Sequence, residues 1–252
     1  MPLIGTAEEA RANRRGRQFS SMPGELNSGT VMRSDLIPPV GESGDPLPNC
    51  KLIEQEPHTV IRAHFHIVNQ FQVVVAGEGT FGRFVGRPIS VQYSGAYTGY
   101  GPITASAKGL HYMVFRSGID HEARYMPESR DRLRGAPRHK MAGPVAPFTS
   151  DGSGNPLMLA ERTVLEREAD GMAASLVWLP PDSDFTGSAP LDGGGQFYYI
   201  VSGTTRFNGQ ELKEGAVVHI GTDEDPANFI AGASGTELLY LQFPRQQDQG
   251  RI

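Results

Sequence analysis

The chain repeats itself, and that repetition limits its fold more than any other feature. Gln70-Phe71-Gln72-Val73-Val74-Val75-Ala76-Gly77 lies over Gln196-Phe197-Tyr198-Tyr199-Ile200-Val201-Ser202-Gly203, with the glutamine, the phenylalanine and the closing glycine in register. The offset is 126 residues (196 minus 70). Near the ends of the two halves, Tyr112-Met113-Val114-Phe115 matches Tyr240-Leu241-Gln242-Phe243 at an offset of 128 residues (243 minus 115). Two nearly equal offsets predict a duplicated domain with small differences in loop length.

Each repeat reads as strands. Gln70, Gln72, Val74 and Ala76 alternate with Phe71, Val73 and Val75, and the run stops at Gly77-Glu78-Gly79, a turn signal. Leu110 to Phe115 carries no charge and is bounded by glycines at 109 and 118, as a buried strand would be. In the second half, strands are expected over 157–165, 173–179, 196–201, 216–220 and 237–243. The 31 glycines and 19 prolines also favour short strands and turns over helices. Periodicity disappears between Met126 and Asn155. The expected organisation is therefore an arm over 1–40, a first domain over 41–125, a linker over 126–155 and a second domain over 156–245.

The rest of the composition mainly excludes functions. The longest apolar runs fall far short of the roughly 18 residues of a membrane span. Residues 1–20 carry Glu8 and Glu9 among four arginines and have no apolar stretch of the kind that directs secretion. They read as a short helical arm that covers the second domain or a neighbouring subunit, and a cytoplasmic location is expected. Cys50 is the only cysteine, so an internal disulfide and a thiolate metal cluster are both excluded. The net charge of −5 does not suggest nucleic acid, and the basic run around Arg130 to Lys140 is broken by Asp131, Gly135 and Pro137. The expected partners are a small-molecule substrate and, at most, a second copy of the chain in a homodimer.

His64 and His66 are two residues apart, so on a strand they share a face that Gln70 and Gln72 continue. A packed or hydrogen-bonded core would account for one such histidine more readily than for a pair. The segment Ala63-His64-Phe65-His66-Ile67-Val68-Asn69-Gln70, followed six residues later by Gly77, resembles the first motif of the cupins, H-x-H-x3-E-x6-G. It departs from that motif at Gln70, where the glutamate is expected, and at His58, where a leading glycine is usual. The resemblance implies an all-β protein of two cupin barrels, each a double-stranded β-helix of jelly-roll type. It also implies one divalent metal ion per chain, iron, manganese, nickel or zinc, on His64, His66 and Gln70.

The last ligand has two candidates. One is Tyr100, before Gly101-Pro102, and the other is His111 on the next strand. Tyr100 and Gln72 are read as the residues that would serve chemistry beside the ion. Arg83, Arg87 and Arg116 are possible partners for a substrate carboxylate, and the remaining histidines are read as structural. In the second domain the histidine positions map onto Pro190 and Asp192, so no metal is expected there. The implied function is a metal-dependent enzyme acting on a small oxygen-bearing substrate, by dioxygenase-type cleavage or by Lewis-acid isomerisation or elimination. The alternative is a non-catalytic small-molecule-binding bicupin.

Overall fold

A computed structural model describes residues 1–19, 27–148 and 155–245. The chain divides into two compact units. The N-terminal unit is Glu8–Val145, and the C-terminal unit comprises Met1–Ala7 with the chain from Ala146 onward. The protein is all-β. Its elements begin with β1 (Leu3–Gly5), the short helix α1 (Ala7–Ala12) and β2 (Arg15–Phe19). Then come β3 (Gly29–Ile37), β4 (Asn49–Gln55), β5 (Val60–Ile61), β6 (His64–Phe65) and β7 (Gln70–Phe81). The N-terminal unit ends with β8 (Phe84–Gly86), β9 (Ser90–Ser94), β10 (Ile103–Arg116), β11 (Arg124–Tyr125) and β12 (His139–Ala142). The C-terminal unit adds β13 (Ala160–Leu165), β14 (Ala173–Leu179), β15 (Asp184–Thr186), β16 (Gln196–Phe207), β17 (Gln210–Lys213), β18 (Val217–Ile220) and β19 (Asn228–Gln242).

In the N-terminal unit the sheet runs β12-β9-β7-β10-β4-β3-β2, with all its pairings antiparallel. β10 changes partner along its length, meeting β4 over Leu110–Arg116 and β5 over Ile103–Thr104, so the sheet turns back on itself. The bend sits where Gly77 and Gly109 press together. Both have positive φ, and a Cβ on Gly77 would collide with the Gly109 carbonyl, so only glycine fits. Gly203 and Gly235 form the same contact in the C-terminal unit, each 126 residues further on. The interior of the N-terminal unit is filled by Val74, Phe81, Ile103, Leu110, Tyr112 and Val114. That of the C-terminal unit is filled by residues such as Tyr198, Ile200, Phe229 and Leu238.

The pairing of the long strands fixes the internal alignment. Gln70 pairs with Arg116 and Gln196 with Gln242, so Arg116 and Gln242 are equivalent, again at an offset of 126 residues (242 minus 116). The 128-residue match read from the sequence is a slip of two. A two-residue slip keeps every side chain on the same face, which is why the pattern looked correct.

Two stretches differ from their sequence reading. The arm over 1–40 is built into both units: β1 pairs with β18, with Leu3 opposite His219 and Gly5 opposite Val217, while β2 and β3 extend the N-terminal sheet. Ile4 packs against the C-terminal core, whereas the Phe19 side chain and residues 20–26 lie outside the described residues. The stretch over 126–155 is not only connection, because β12 pairs with β9, Ala142 opposite Val91. Residues 149–154 of that stretch are likewise outside the described residues.

Candidate functional site

Strand alternation places the N-terminal unit's polar residues in its interior. On β4, Lys51 and Ile53 face inward; on β10, Tyr112, Val114 and Arg116 do so; and Gln72 joins them from β7. β6 is anchored by a bridge between His64 and Tyr100 and by β11, whose Tyr125 lies opposite His64. These residues surround a cavity of about 310 Å³. His64 and His66 are 5% and 7% exposed, with ring centres 5.3 Å apart.

The hydrogen bonds fix the state of both imidazoles. His64 Nδ1 lies 2.9 Å from the Arg62 carbonyl and must donate to it, so Nε2 accepts from the Tyr100 hydroxyl at 2.8 Å. His66 Nδ1 donates to Asp120 Oδ2 at 3.0 Å, and its Nε2 accepts from Arg116 Nη2 at 2.7 Å. Burial lowers the His64 pKa to about 4 and holds His66 well below its ordinary value, with the Arg116 charge adding to the effect at His66. Burial also pushes Tyr100 up to about 12, so its hydroxyl keeps its proton.

Asp120 secures the wall behind His66. It accepts from Arg124 Nη1 at 2.8 Å and from the Ile67 amide at 2.9 Å. Although burial opposes ionisation, the bonds from His66 and Arg124 win and hold the carboxyl far below the usual range.

The charge balance of this interior is uneven. Arg15, Arg17, Arg33, Lys51 and Arg116 line the cavity, against Asp120 as its only lining carboxylate among the described residues. Asp35 bonds to Arg15 at 2.6 Å and to Arg33 at 2.7 Å, while Asp120 serves Arg124 and His66. Arg116, 5% exposed, donates to Gln70 Oε1 at 3.2 Å, to the Asp120 carbonyl at 2.7 Å and to His66, but pairs with no carboxylate among the described residues. Lys51 is 6% exposed, and its amine has neither a hydrogen bond nor an ion pair there. Burial, reinforced by the Arg116 and Arg33 charges, drives the Lys51 pKa well below its ordinary value. Unpaired ions are costly to bury, by several kcal/mol each, and shedding the proton is how a lysine escapes that cost.

Among the residues expected from sequence, His64, His66, Gln72, Tyr100 and Arg116 meet in this cavity. Gln72 is tied by Gln92 Nε2, which donates to its Oε1 at 2.7 Å. Gln70 sits behind Arg116, with its own amide nitrogen unpartnered. His111 is not brought to the site. It precedes Tyr112 on β10 and so takes the opposite face from the inward residues, opposite Glu54 and Ala76. Arg87 pairs with Glu78 on the surface, and Arg83 is exposed. Lys51, Arg33, Asp35 and Asp120 were not singled out by sequence reasoning. The one available signal for Lys51 was its place in the alternation with Ile53.

No protein-family model matches the sequence, and no curated protein matches it. Solved structures do match. A putative dioxygenase from Nostoc punctiforme aligns at 11% identity over 100% of this chain and 84% of its own, with a TM-score of 0.64. A bacterial pirin from Escherichia coli, solved in complex with nickel(II), aligns at 14% identity over 98% of this chain and 100% of its own, with a TM-score of 0.57. The fold is that of the cupins. A third such structure, quercetin 2,3-dioxygenase from Acinetobacter baumannii, aligns at 13% identity over 98% of this chain and 79% of its own, with a TM-score of 0.51.

Within this cupin interior the donor set does not fit a divalent cation. Both Nε2 lone pairs are already taken, one of them by a guanidinium whose fixed positive charge lies where a cation would have to approach. Gln70 brings no charge to offset it, and no group of three or more His, Cys, Asp or Glu among the described residues is arranged to hold a metal. Also among the described residues, no helix is long and apolar enough to cross a membrane.

Proposed function

We propose that the N-terminal cupin unit binds a small organic molecule through a carboxylate, and that Arg116 is the group that receives it. One observation carries this reading: a guanidinium and an amine, both more than nine-tenths buried, line one cavity without a carboxylate partner among the described residues. A bound carboxylate would supply the missing counter-charge, and Arg116 offers it planar, paired donors. Tyr100, Tyr112 and Tyr125 give the rest of the cavity aromatic walls, which suit a flat or aromatic body. The C-terminal unit, with Pro190 and Asp192 at the histidine positions, serves as a structural partner.

The test is calorimetry and thermal shift with a panel of aromatic and aliphatic carboxylates, each beside its neutral amide. The acids should bind and raise the melting temperature while the amides do not, and Arg116→Gln should erase the difference. Acids and amides acting alike, or neither acting, would overturn the reading.

A second reading keeps the metal ion on His64, His66 and Gln70, with iron, manganese, nickel or zinc as candidates and dioxygenase or isomerase chemistry to follow. It is favoured by the Asp120 carboxylate behind His66, an arrangement that often orients a metal-binding imidazole. It requires Arg116 and Tyr100 to leave the two Nε2 atoms. Elemental analysis after reconstitution and desalting separates the readings: about one ion per chain, lost in His66→Ala, supports the metal, and none supports the acid.

A further inference from the structure

In the carboxylate reading Arg116 receives the acid and the Lys51 amine is left without a task, yet its placement is unusual. On β4 it stands opposite Asp35 of β3 and opposite Val114 of β10. Asp35 is already claimed by Arg15 and Arg33, so it offers Lys51 no ion pair. Arg116 is two residues beyond Val114 on the same inward face, a diagonal neighbour that long side chains can reach across. A reactive amine and a guanidinium thus share one cavity wall.

We propose that Lys51 forms an imine with the carbonyl carbon of a 2-oxo acid whose carboxylate is held by Arg116. This rests on the carboxylate reading above and names the class of acid. The Lys51 nitrogen donates its lone pair to the carbonyl carbon, a C–N bond forms, and one N–H proton passes to the oxygen. Loss of the second N–H proton with the hydroxyl releases water and leaves C=N. The step is redox-neutral and needs no co-reactant. An amine must be unprotonated to attack, and burial, with the Arg116 and Arg33 charges, shifts this one toward the neutral form. The groups that set its state are those two cations and Asp35, with the Cys50 thiol on the same strand.

The experiment incubates the full chain with pyruvate or phenylpyruvate and sodium cyanoborohydride, which reduces an imine to a stable amine, and follows intact mass and peptide maps. One adduct per chain is expected on the peptide that contains Lys51, with Lys108, Lys140 and Lys213 unlabelled. Lys51→Met should abolish it, and because that change removes a desolvated amine with no partner, the variant should melt no earlier than the wild type. In parallel, thermal shift with the same acids and no reductant reports binding alone. Binding without an adduct overturns the imine and leaves the carboxylate reading standing, whereas absence of both overturns the two together. An adduct spread over the surface lysines, or kept in Lys51→Met, also overturns the imine, and the wild-type peptide map decides this whether or not the variant folds.

Discussion

The two units place different groups at one equivalent position. In the C-terminal unit Gln242 accepts from Gln196 at 3.0 Å and from Tyr240 at 2.7 Å, and donates to the Gly195 carbonyl at 3.0 Å. Tyr198 donates to Gln196 at 3.0 Å, and the Tyr240 hydroxyl also meets Ser188 at 2.8 Å. That interior is a network of neutral side chains bonded to one another, with Arg167 donating to the Tyr240 hydroxyl from its edge at 3.4 Å. In the N-terminal unit the same place holds Arg116, whose partners among the described residues are neutral groups, and the inward-facing Lys51 amine has no acceptor among them. The scaffold tolerates both solutions. A satisfied interior needs nothing further, whereas an interior that holds the uncompensated Arg116 cation beside an unbonded amine is complete only when something else supplies the charge.

Exchanging the two residues breaks the comparison most directly. Gln242→Arg inserts a cation into a network with no carboxylate to receive it and should destabilise the C-terminal unit by about 3–5 kcal/mol, read as a lower denaturation midpoint. The reverse exchange, Arg116→Gln, should change stability by no more than about 1 kcal/mol, because a buried unpaired charge is removed along with its hydrogen bonds. Its effect falls on the ligand. Loss of a charge-assisted contact of about 1.5–3 kcal/mol should weaken carboxylate binding by roughly 10- to 150-fold in calorimetry.

Acid should affect both units, through the buried His64 and His66 in the N-terminal unit and through His219 in the C-terminal unit. His64 and His219 have folded-state pKa values of about 4, lowered by burial from 6.5, so the unfolded chain takes up these protons first. Stability should therefore fall as the pH drops from about 6.5 toward 4, by roughly 1–3 kcal/mol for each histidine. Melting curves across that window measure the sum. His219, whose ring stacks edge-on against Phe197 at 4.7 Å, can be replaced by phenylalanine to remove the C-terminal share and leave that of the N-terminal histidines. The smallest effect is expected at His111: His111→Ala should leave carboxylate affinity within about twofold and stability within about 0.5 kcal/mol, since the side chain faces away from the cavity.

Much of the fold was legible because the repeat, the two-residue alternation and the glycine turns all point to one architecture. β14 begins and ends where the sequence reading places a strand, at Ala173 and Leu179. The pairing of His64 with His66 in one interior was legible for the same reason. His111 was misplaced because the cupin motif draws attention to imidazoles, while Tyr112, Val114 and Arg116 hold the inward face of β10, and the shift beside His111 leaves out Val75 of β7 without breaking that alternation. Lys51 was hard to read for a different cause, and Arg116 was legible only as one of three candidate arginines. Charged residues are almost never fully buried unless paired, so a lysine in a strand is assigned to solvent. Nothing in the local pattern distinguishes a cation that lines a cavity from one that lies on the surface.

The pairing of β1 with β18 has a consequence for how the molecule is made. Ile4 leaves the ribosome first and Val218 more than two hundred residues later, which at about 5–20 residues per second is a wait of roughly ten to forty seconds. Over that interval β1 waits for β18, while the N-terminal unit that follows it can already fold. The C-terminal unit is closed by recruiting that waiting strand. Until then the backbone groups of Val217 to His219 remain an open edge, available to a strand from a neighbouring polysome chain as readily as to Leu3–Gly5.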